Sequence, residues 1–365
     1  MRTRSDAPSD LTGSLDYKNL VEEEIEHYSH IEVTEGLREG SVHAHEAWGY
    51  WYEYLQKHVW HTSFEDEIVR YCDGVEQPRI LSLGCGYGGI ELEIARRLRK
   101  PFEMIALDLN DGILKEARKR AGEEGLNIRF EAADLNFVDV KEGSFDLVYA
   151  HASLHHILNL EHLFWEIYKG LKPDGRFIAL DVIGKTQVLF WQENVEFAAQ
   201  VVREMPQKYK GTITDPYEII PRYVEPGVQF GMEGVRQEEI EGEILKYFVP
   251  VQLFKYCSFM RMICTNPIVG KALNPQSAED RAYLDELAVL DVKQVEEKKL
   301  RPTEMFGTFA KRKDAVFIPP SRPQPSRLAN WLSRKQLEAR KLLGKLRSHA
   351  RTLLSRWKPP KSGGE

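Results

Sequence analysis

Residues 80 to 91 read ILSLGCGYGGIE: an apolar run enters a cluster of glycines, and a helix-like pattern follows. Glycine lets such a turn tighten and lets the backbone approach a bound group, while the start of the helix favours an anionic one. The loop fits two spellings. Gly84, Gly86 and Gly88 give GxGxG; Gly84, Gly86 and Gly89 give GxGxxG, the dinucleotide fingerprint. Asp108 closes the second expected strand, and an acid there accepts hydrogen bonds from ribose hydroxyls. Loop and acid together point to an adenosine-containing cofactor, without choosing between NAD and S-adenosylmethionine (SAM).

The rest of the chain narrows the fold. Apolar runs at 79–84, 102–108, 127–132, 145–151 and 175–182 read as strands, with helical patterns between them at Gly88–Leu98 and Asp111–Ala121. This alternation predicts an α/β fold with a mostly parallel sheet and helices on both faces. Two further strands are expected within 248–260 and 304–313. The expected organisation is an N-terminal helical cap (1–65), a cofactor-binding core (66–185) and a largely helical, acceptor-binding insertion (186–245). The last two strands (246–315), a proline-rich linker (316–326) and a basic amphipathic helix with its tail (327–365) complete it.

The order of motifs beyond the loop carries a resemblance. FEAADLN places Asp134 just past strand three, FDLVYAHASLHHI is strand four and its exit, and Leu171-Lys172-Pro173-Asp174-Gly175 is the turn before strand five. Across 79–185 the chain resembles the class I SAM-dependent methyltransferases of the type 11/25 kind. That family has a Rossmann-like, seven-stranded sheet closed by a reversed hairpin, and its turn at this point reads Leu-x-Pro-Gly-Gly or close to it. The resemblance implies SAM as cofactor. It implies Gly84, Gly86 and Gly88 along the methionine end, Asp108 on the ribose with Leu109 against the adenine, and Asp134 on the adenine amino group with Leu135 beside it. Ala150 and His151 would border the cofactor. Asp134 also reads as an ordinary helix cap.

Methyl transfer from a sulfonium is an in-line displacement, so positioning is the main demand. An oxygen acceptor, the expected kind, often also needs a base. His151, His155 and His156 follow strand four, at the ligand-bearing end of such a sheet, and imidazole suits proton transfer at neutral pH. Each also reads as a brace for its loop. Trp51, in the aromatic run AWGYWYEYLQKHVW, and Tyr209, Tyr217 and Arg222 in the insertion are candidate substrate contacts by position; helix packing is the other reading of Trp51. The expected acceptor is a small molecule, glycan or glycolipid. An NAD-dependent dehydrogenase or epimerase, or a SAM-binding protein without turnover, are the rival readings.

Charge is unevenly placed. The net charge is −6, yet the segment from Ser321 onward holds 12 Lys/Arg against 2 Glu, leaving −16 for the body. On a helix, Trp331, Leu346, Leu353 and Trp357 share an apolar face flanked by cations, as in helices that lie in a membrane surface. An anionic membrane surface and the acidic body are both candidate partners for it; nucleic acid is the weaker one, since no nucleic-acid motif accompanies it. Four scattered cysteines without a CxxC pair suit a reducing compartment and argue against a zinc or disulfide framework. With no apolar signal core near Met1, the expected location is cytoplasmic, peripheral at the inner membrane face if the tail binds lipid.

Overall fold

In the computed structural model, the described residues are 15–29, 45–186, 189–219 and 231–313, with 317, 319 and 320 beyond them. Arg222 and the basic segment 327–365 lie outside them. Seven strands form one sheet: β1 (Arg79–Leu83), β2 (Glu103–Asp108), β3 (Ile128–Ala132), β4 (Phe145–His151), β5 (Leu171–Val182), β6 (Phe248–Tyr256) and β7 (Glu304–Lys311). Their order is β3-β2-β1-β4-β5-β7-β6. The first five are parallel; β7 runs antiparallel to both β5 and β6.

Buried parallel strands are apolar on both faces, and alternation divides these residues between two cores. Ile80, Leu147 and Ile178 face one, while their neighbours Leu81, Val148 and Ala179 face the other. The first core is covered by α2 (Glu46–Leu55), α3 (Phe64–Asp73) and α7 (Gln192–Glu204). The second is covered by α6 (Leu160–Gly170) and the helix Ile240–Tyr247. Between the first strands run α4 (Gly89–Arg97) and α5 (Asp111–Glu123), and α1 (Leu15–Ser29) precedes them all.

The aromatic run at 47–60 is core. Trp51 is fully buried, and Trp60 meets Tyr256 and Phe306 edge-on with ring centroids 5.0 and 5.1 Å apart. The expected late strands are present, but the residues between them are not a plain connection: 257–303 contain the helices Met260–Cys264, Val269–Ala272 and Ala278–Glu296. The last of these escapes periodicity because its buried face carries Asp280, Asp291 and Gln294 beside Leu284, Leu287 and Ala288. Asp291 is buried for a reason: its Oδ2 accepts the backbone N–H groups of Ser258, Phe259 and Met260 at 2.9, 2.7 and 2.9 Å, capping the start of Met260–Cys264.

A second buried acid sits under β1. Glu91, in the first turn of α4, accepts from Ser82 Oγ at 2.6 Å and from the Tyr149 hydroxyl at 3.1 Å. Burial pushes its carboxyl from 4.5 up to about 7. The folded protein therefore keeps a proton that the unfolded chain releases. This contribution to stability is complete below about pH 4.5 and is lost as pH rises through about 7. The difference is worth about 3 kcal/mol at 1.36 kcal/mol per unit. Glu91→Gln is expected to flatten this fall, read as urea midpoints measured between about pH 5 and 8.

Candidate cofactor cleft and histidine cluster

At the carboxyl ends of β1, β2 and β4 the strand exits part and leave a cleft of about 270 Å3. Its floor is Gly84 and Gly86 of the β1–α4 loop; its walls include Asp108, Leu109, Asn110, Asp134 and Leu135. Gly84 and Gly86 hold φ of +70° and +53°, where L side chains are strained. A Cβ on Gly84 would stand 2.4 Å from Ser153 Cβ, whereas one on Gly86 would meet nothing within 4 Å. Gly84 thus permits a close approach of two loops, and Gly86 leaves open space over the cleft.

Asp108 sets the chemistry. Its Oδ2 accepts Gly86 N–H at 2.8 Å and its Oδ1 accepts Asn110 N–H at 2.9 Å. A carboxylate has about four acceptor positions, so each oxygen retains one. Two free positions on adjacent oxygens match the two hydroxyls of a ribose. Asp134 is more fully engaged. Asn136 donates to its Oδ1 through N–H and Nδ2 at 2.9 and 3.1 Å, and the Tyr17 hydroxyl donates to Oδ2 at 2.6 Å. Burial raises both carboxyls above their usual value, and the donors around each one oppose that rise.

Tyr17 belongs to α1, which lies along the cleft as a cover. Ser29 Oγ accepts from Asn110 Nδ2 at 2.9 Å, and the Tyr87 hydroxyl donates to the Tyr28 carbonyl at 2.8 Å. Glu24 Oε2 takes Met232 N–H at 2.8 Å, tying α1 to the far side.

The three nominated histidines fall into three environments. His155 is buried and its Nδ1 lies 2.6 Å from Asp181 Oδ1. Burial opposes its charge, but Asp181 and Glu233 overcome this and lift it to about 10, so it already holds its proton at neutral pH and is a brace rather than a free base. His151 goes the other way: burial lowers it to about 4 despite Asp181, leaving a neutral ring edge-on to Phe64 at 5.0 Å, outside the cleft lining. His156 alone of the three lines the cleft, with Nδ1 2.7 Å from Glu24 Oε1.

Several other nominated residues stand elsewhere. Gly88 backs away from the cleft, where a Cβ would strike Phe130 and Ala117 at 2.7 and 2.9 Å; its glycine serves packing. Ala150 is core, and Ala152 and Ser153 take its place at the cleft. Trp51 is core, and Tyr209 is buried with its hydroxyl on Asp280 Oδ1 at 2.6 Å. Tyr217 is exposed beside Arg203 and away from the cleft. Sequence reasoning missed Tyr17, Glu24, Asn110, Ser153 and Glu233. It also missed Asp181, although that residue ends the apolar strand IALD.

A cleft floored by a glycine loop, with an acid at the tip of β2 and another beyond β3, defines an adenosine-cofactor-binding α/β protein. The sheet order separates the two cofactor classes: dinucleotide-binding folds run 3-2-1-4-5-6, whereas here an antiparallel β7 intervenes between β5 and β6. Residues 80–175 match the family model described as a methyltransferase domain, and this core is similar to that of the class I SAM-dependent methyltransferases, which supports SAM as its cofactor. Similar curated proteins include sterol 24-C-methyltransferase of Saccharomyces cerevisiae, 35% identical over 115 residues that cover 31% of this chain and 30% of that one. Phosphoethanolamine N-methyltransferase 1 of Triticum aestivum is 29% identical over 115 residues, 32% of this chain and 23% of that one. A ubiquinone/menaquinone biosynthesis C-methyltransferase of Rickettsia felis is 26% identical over 171 residues, 45% of this chain and 68% of that one. The chain thus spans less than a third of the yeast and wheat relatives it matches. Among solved structures, a SAM-dependent methyltransferase from Mesorhizobium loti aligns with 68% of this chain and 98% of its own, at 20% identity and a TM-score of 0.40.

Proposed function

We propose that the protein transfers the methyl group of SAM to an oxygen of a small molecule, glycan or glycolipid. The observation that carries the cofactor half is Asp108, with one free acceptor position on each oxygen above the Gly84–Gly86 floor. When bound, SAM would supply a methyl carbon on a sulfonium, open to in-line attack by an acceptor lone pair, with the C–S electron pair leaving on the sulfur of S-adenosylhomocysteine. The chain's own part is to hold and to shield. Asp108 fixes the ribose, Leu109 and Leu135 offer apolar surface to the base, and Asp134 accepts from its amino group. Helix α1 keeps water from the reacting atoms. The acceptor's proton leaves at the corner of the cleft lined by Glu24 and His156. His155 takes no part in that step, since it is already charged.

The test of the cofactor is calorimetric: SAM and S-adenosylhomocysteine are expected to bind one per chain, with NAD failing to compete. Competition by NAD would favour a dehydrogenase or epimerase.

The tail belongs to the same proposal. The basic segment 327–365 holds the protein at the anionic inner face of a membrane, where a lipid-linked acceptor would be met; each Lys or Arg near such a surface adds about 1 kcal/mol. Deleting 326–365 is expected to abolish sedimentation with phosphatidylserine vesicles while leaving SAM affinity unchanged. Equal sedimentation of the shortened protein would remove the membrane from the account.

A further inference from the structure

Beside the cleft, two imidazoles converge on one carboxylate. His155 Nε2 lies 3.5 Å from Glu233 Oε1, and His156 Nε2 lies 3.4 Å from Glu233 Oε2. The donor atoms of the three residues all fall within 4.8 Å of one another. We propose that His155, His156 and Glu233 form a binding site for a first-row divalent transition-metal ion.

Three observations support it. The first is distance. Charge-assisted N–H···O bonds settle near 2.7–2.9 Å, so the two ion pairs to Glu233 are longer than a close hydrogen bond and leave room between the donors. The two gaps end on different oxygens of Glu233, and each is near the 3.4 Å that separates two donors about 2.1 Å from one ion, so the carboxylate would present both oxygens to it. The second is the other side of each ring. Metal-bound histidines hold their second nitrogen on a carboxylate or carbonyl, which fixes the tautomer and aims the free lone pair. One ring does so here, His155 with Nδ1 on Asp181 at 2.6 Å; His156 Nδ1 is buried 2.7 Å from Glu24 Oε1 but makes no hydrogen bond to it. Asp181 is itself immobilised, since its Oδ2 accepts Ser153 and Leu154 N–H groups at 2.9 and 2.7 Å. The third is access. The Glu233 side chain is one-third exposed and His156 lines the cleft, so a bound ion keeps positions open toward the acceptor side.

Two imidazoles and one carboxylate are a donor set for zinc, iron, cobalt or manganese in their divalent states rather than for calcium or magnesium, which prefer oxygen alone. The Tyr28 hydroxyl donates to Glu233 Oε2 at 3.1 Å and steadies that carboxylate from α1. Site assembly therefore depends on the cover being in place. An ion here would offer its open positions to an oxygen ligand, such as a hydroxyl of the acceptor. Its presence does not depend on methyl transfer; only that use does.

Cobalt(II) is the probe. Chelator-treated full-length protein titrated with Co2+ is expected to bind one ion per chain, to release protons as it does so, and to develop visible d–d absorption. X-ray absorption at the cobalt edge should show two imidazole ligands, a reading that needs no variant to fold. His156→Ala and Glu233→Gln are expected to abolish stoichiometric binding, and Glu24→Gln to weaken it by roughly tenfold, as for other groups that orient a ligand. Lack of saturation by about 1 mM Co2+, a cobalt spectrum without imidazole, or unchanged binding in both ligand variants would overturn the site; at that limit the affinity would be only about 4 kcal/mol. SAM titrations on the same samples keep the two claims apart. Cobalt binding without SAM binding would remove the methyltransferase reading and spare the metal site, and the reverse would do the opposite.

Discussion

Replacing Asp108 with alanine is expected to weaken SAM binding by about 100-fold or more while leaving the fold intact. Each hydrogen bond to a charged acceptor is worth about 1.5–3 kcal/mol, and a ribose diol would make two of them. The folded protein also uses this carboxylate to hold Gly86 and Asn110, so the variant loosens the glycine floor as well as removing the ribose contact. Asp108→Asn separates the parts: it keeps one acceptor oxygen, loses the charge, and should fall between wild type and alanine. Calorimetric titration with S-adenosylhomocysteine measures both variants without needing an acceptor. If binding to Asp108→Ala stayed within threefold of wild type, the ribose would lie elsewhere.

Asp181→Ala is expected to be the most damaging single change near the site, costing about 3–5 kcal/mol of stability. The carboxylate is fully buried and accepts three backbone N–H groups, from Ser153, Leu154 and Val182, besides facing His155. Removing it leaves a buried imidazolium against one remaining carboxylate, Glu233, and frees the β4 exit loop. The same pair has a pH signature in metal-free protein. The imidazole is raised to about 10 in the folded state, so its stabilisation is complete below about pH 6.5 and is lost as pH rises through about 10. Asp181→Asn should shrink that fall, seen as guanidinium midpoints between about pH 6 and 10, without the full loss of the alanine variant. A wild-type midpoint that rose over this range would contradict the pairing.

The sheet was legible because its strands are short, buried and continuous in apolar character; β1 to β5 are found where the runs at 79–182 place them, and β5 starts earlier, at Leu171, through the turn. The reversed last strands were legible only through the family resemblance. The helix Ala278–Glu296 was not, because acids and a glutamine occupy its buried face and erase the stripe that periodicity reads. In the site, Gly84, Gly86, Asp108 and Asp134 are local to strand ends, so position along the chain found them. Gly88 shows the limit of the motif: a glycine in the right spelling meets Phe130 from β3, a contact no spacing reveals. Tyr17, Glu24 and Glu233 are far from the loop in sequence and come to it only through the packing of α1 and the segment around Met232. Charge state was also illegible. His155 and His151 are four residues apart, yet one is pushed to about 10 and the other to about 4, because two carboxylates face the first while burial dominates the second.

Incubation of the full-length protein with methyl-labelled SAM and an extract of its source cells tests the central claim most directly. The account predicts time-dependent transfer of label to an acceptor, with matching formation of S-adenosylhomocysteine, and loss of both in Asp108→Ala. Label in the organic phase would identify an apolar or lipid-linked acceptor, and label in the aqueous phase a polar one. If SAM bound one per chain and no label moved, the protein would be a SAM-binding module without turnover, and methyl transfer would be contradicted.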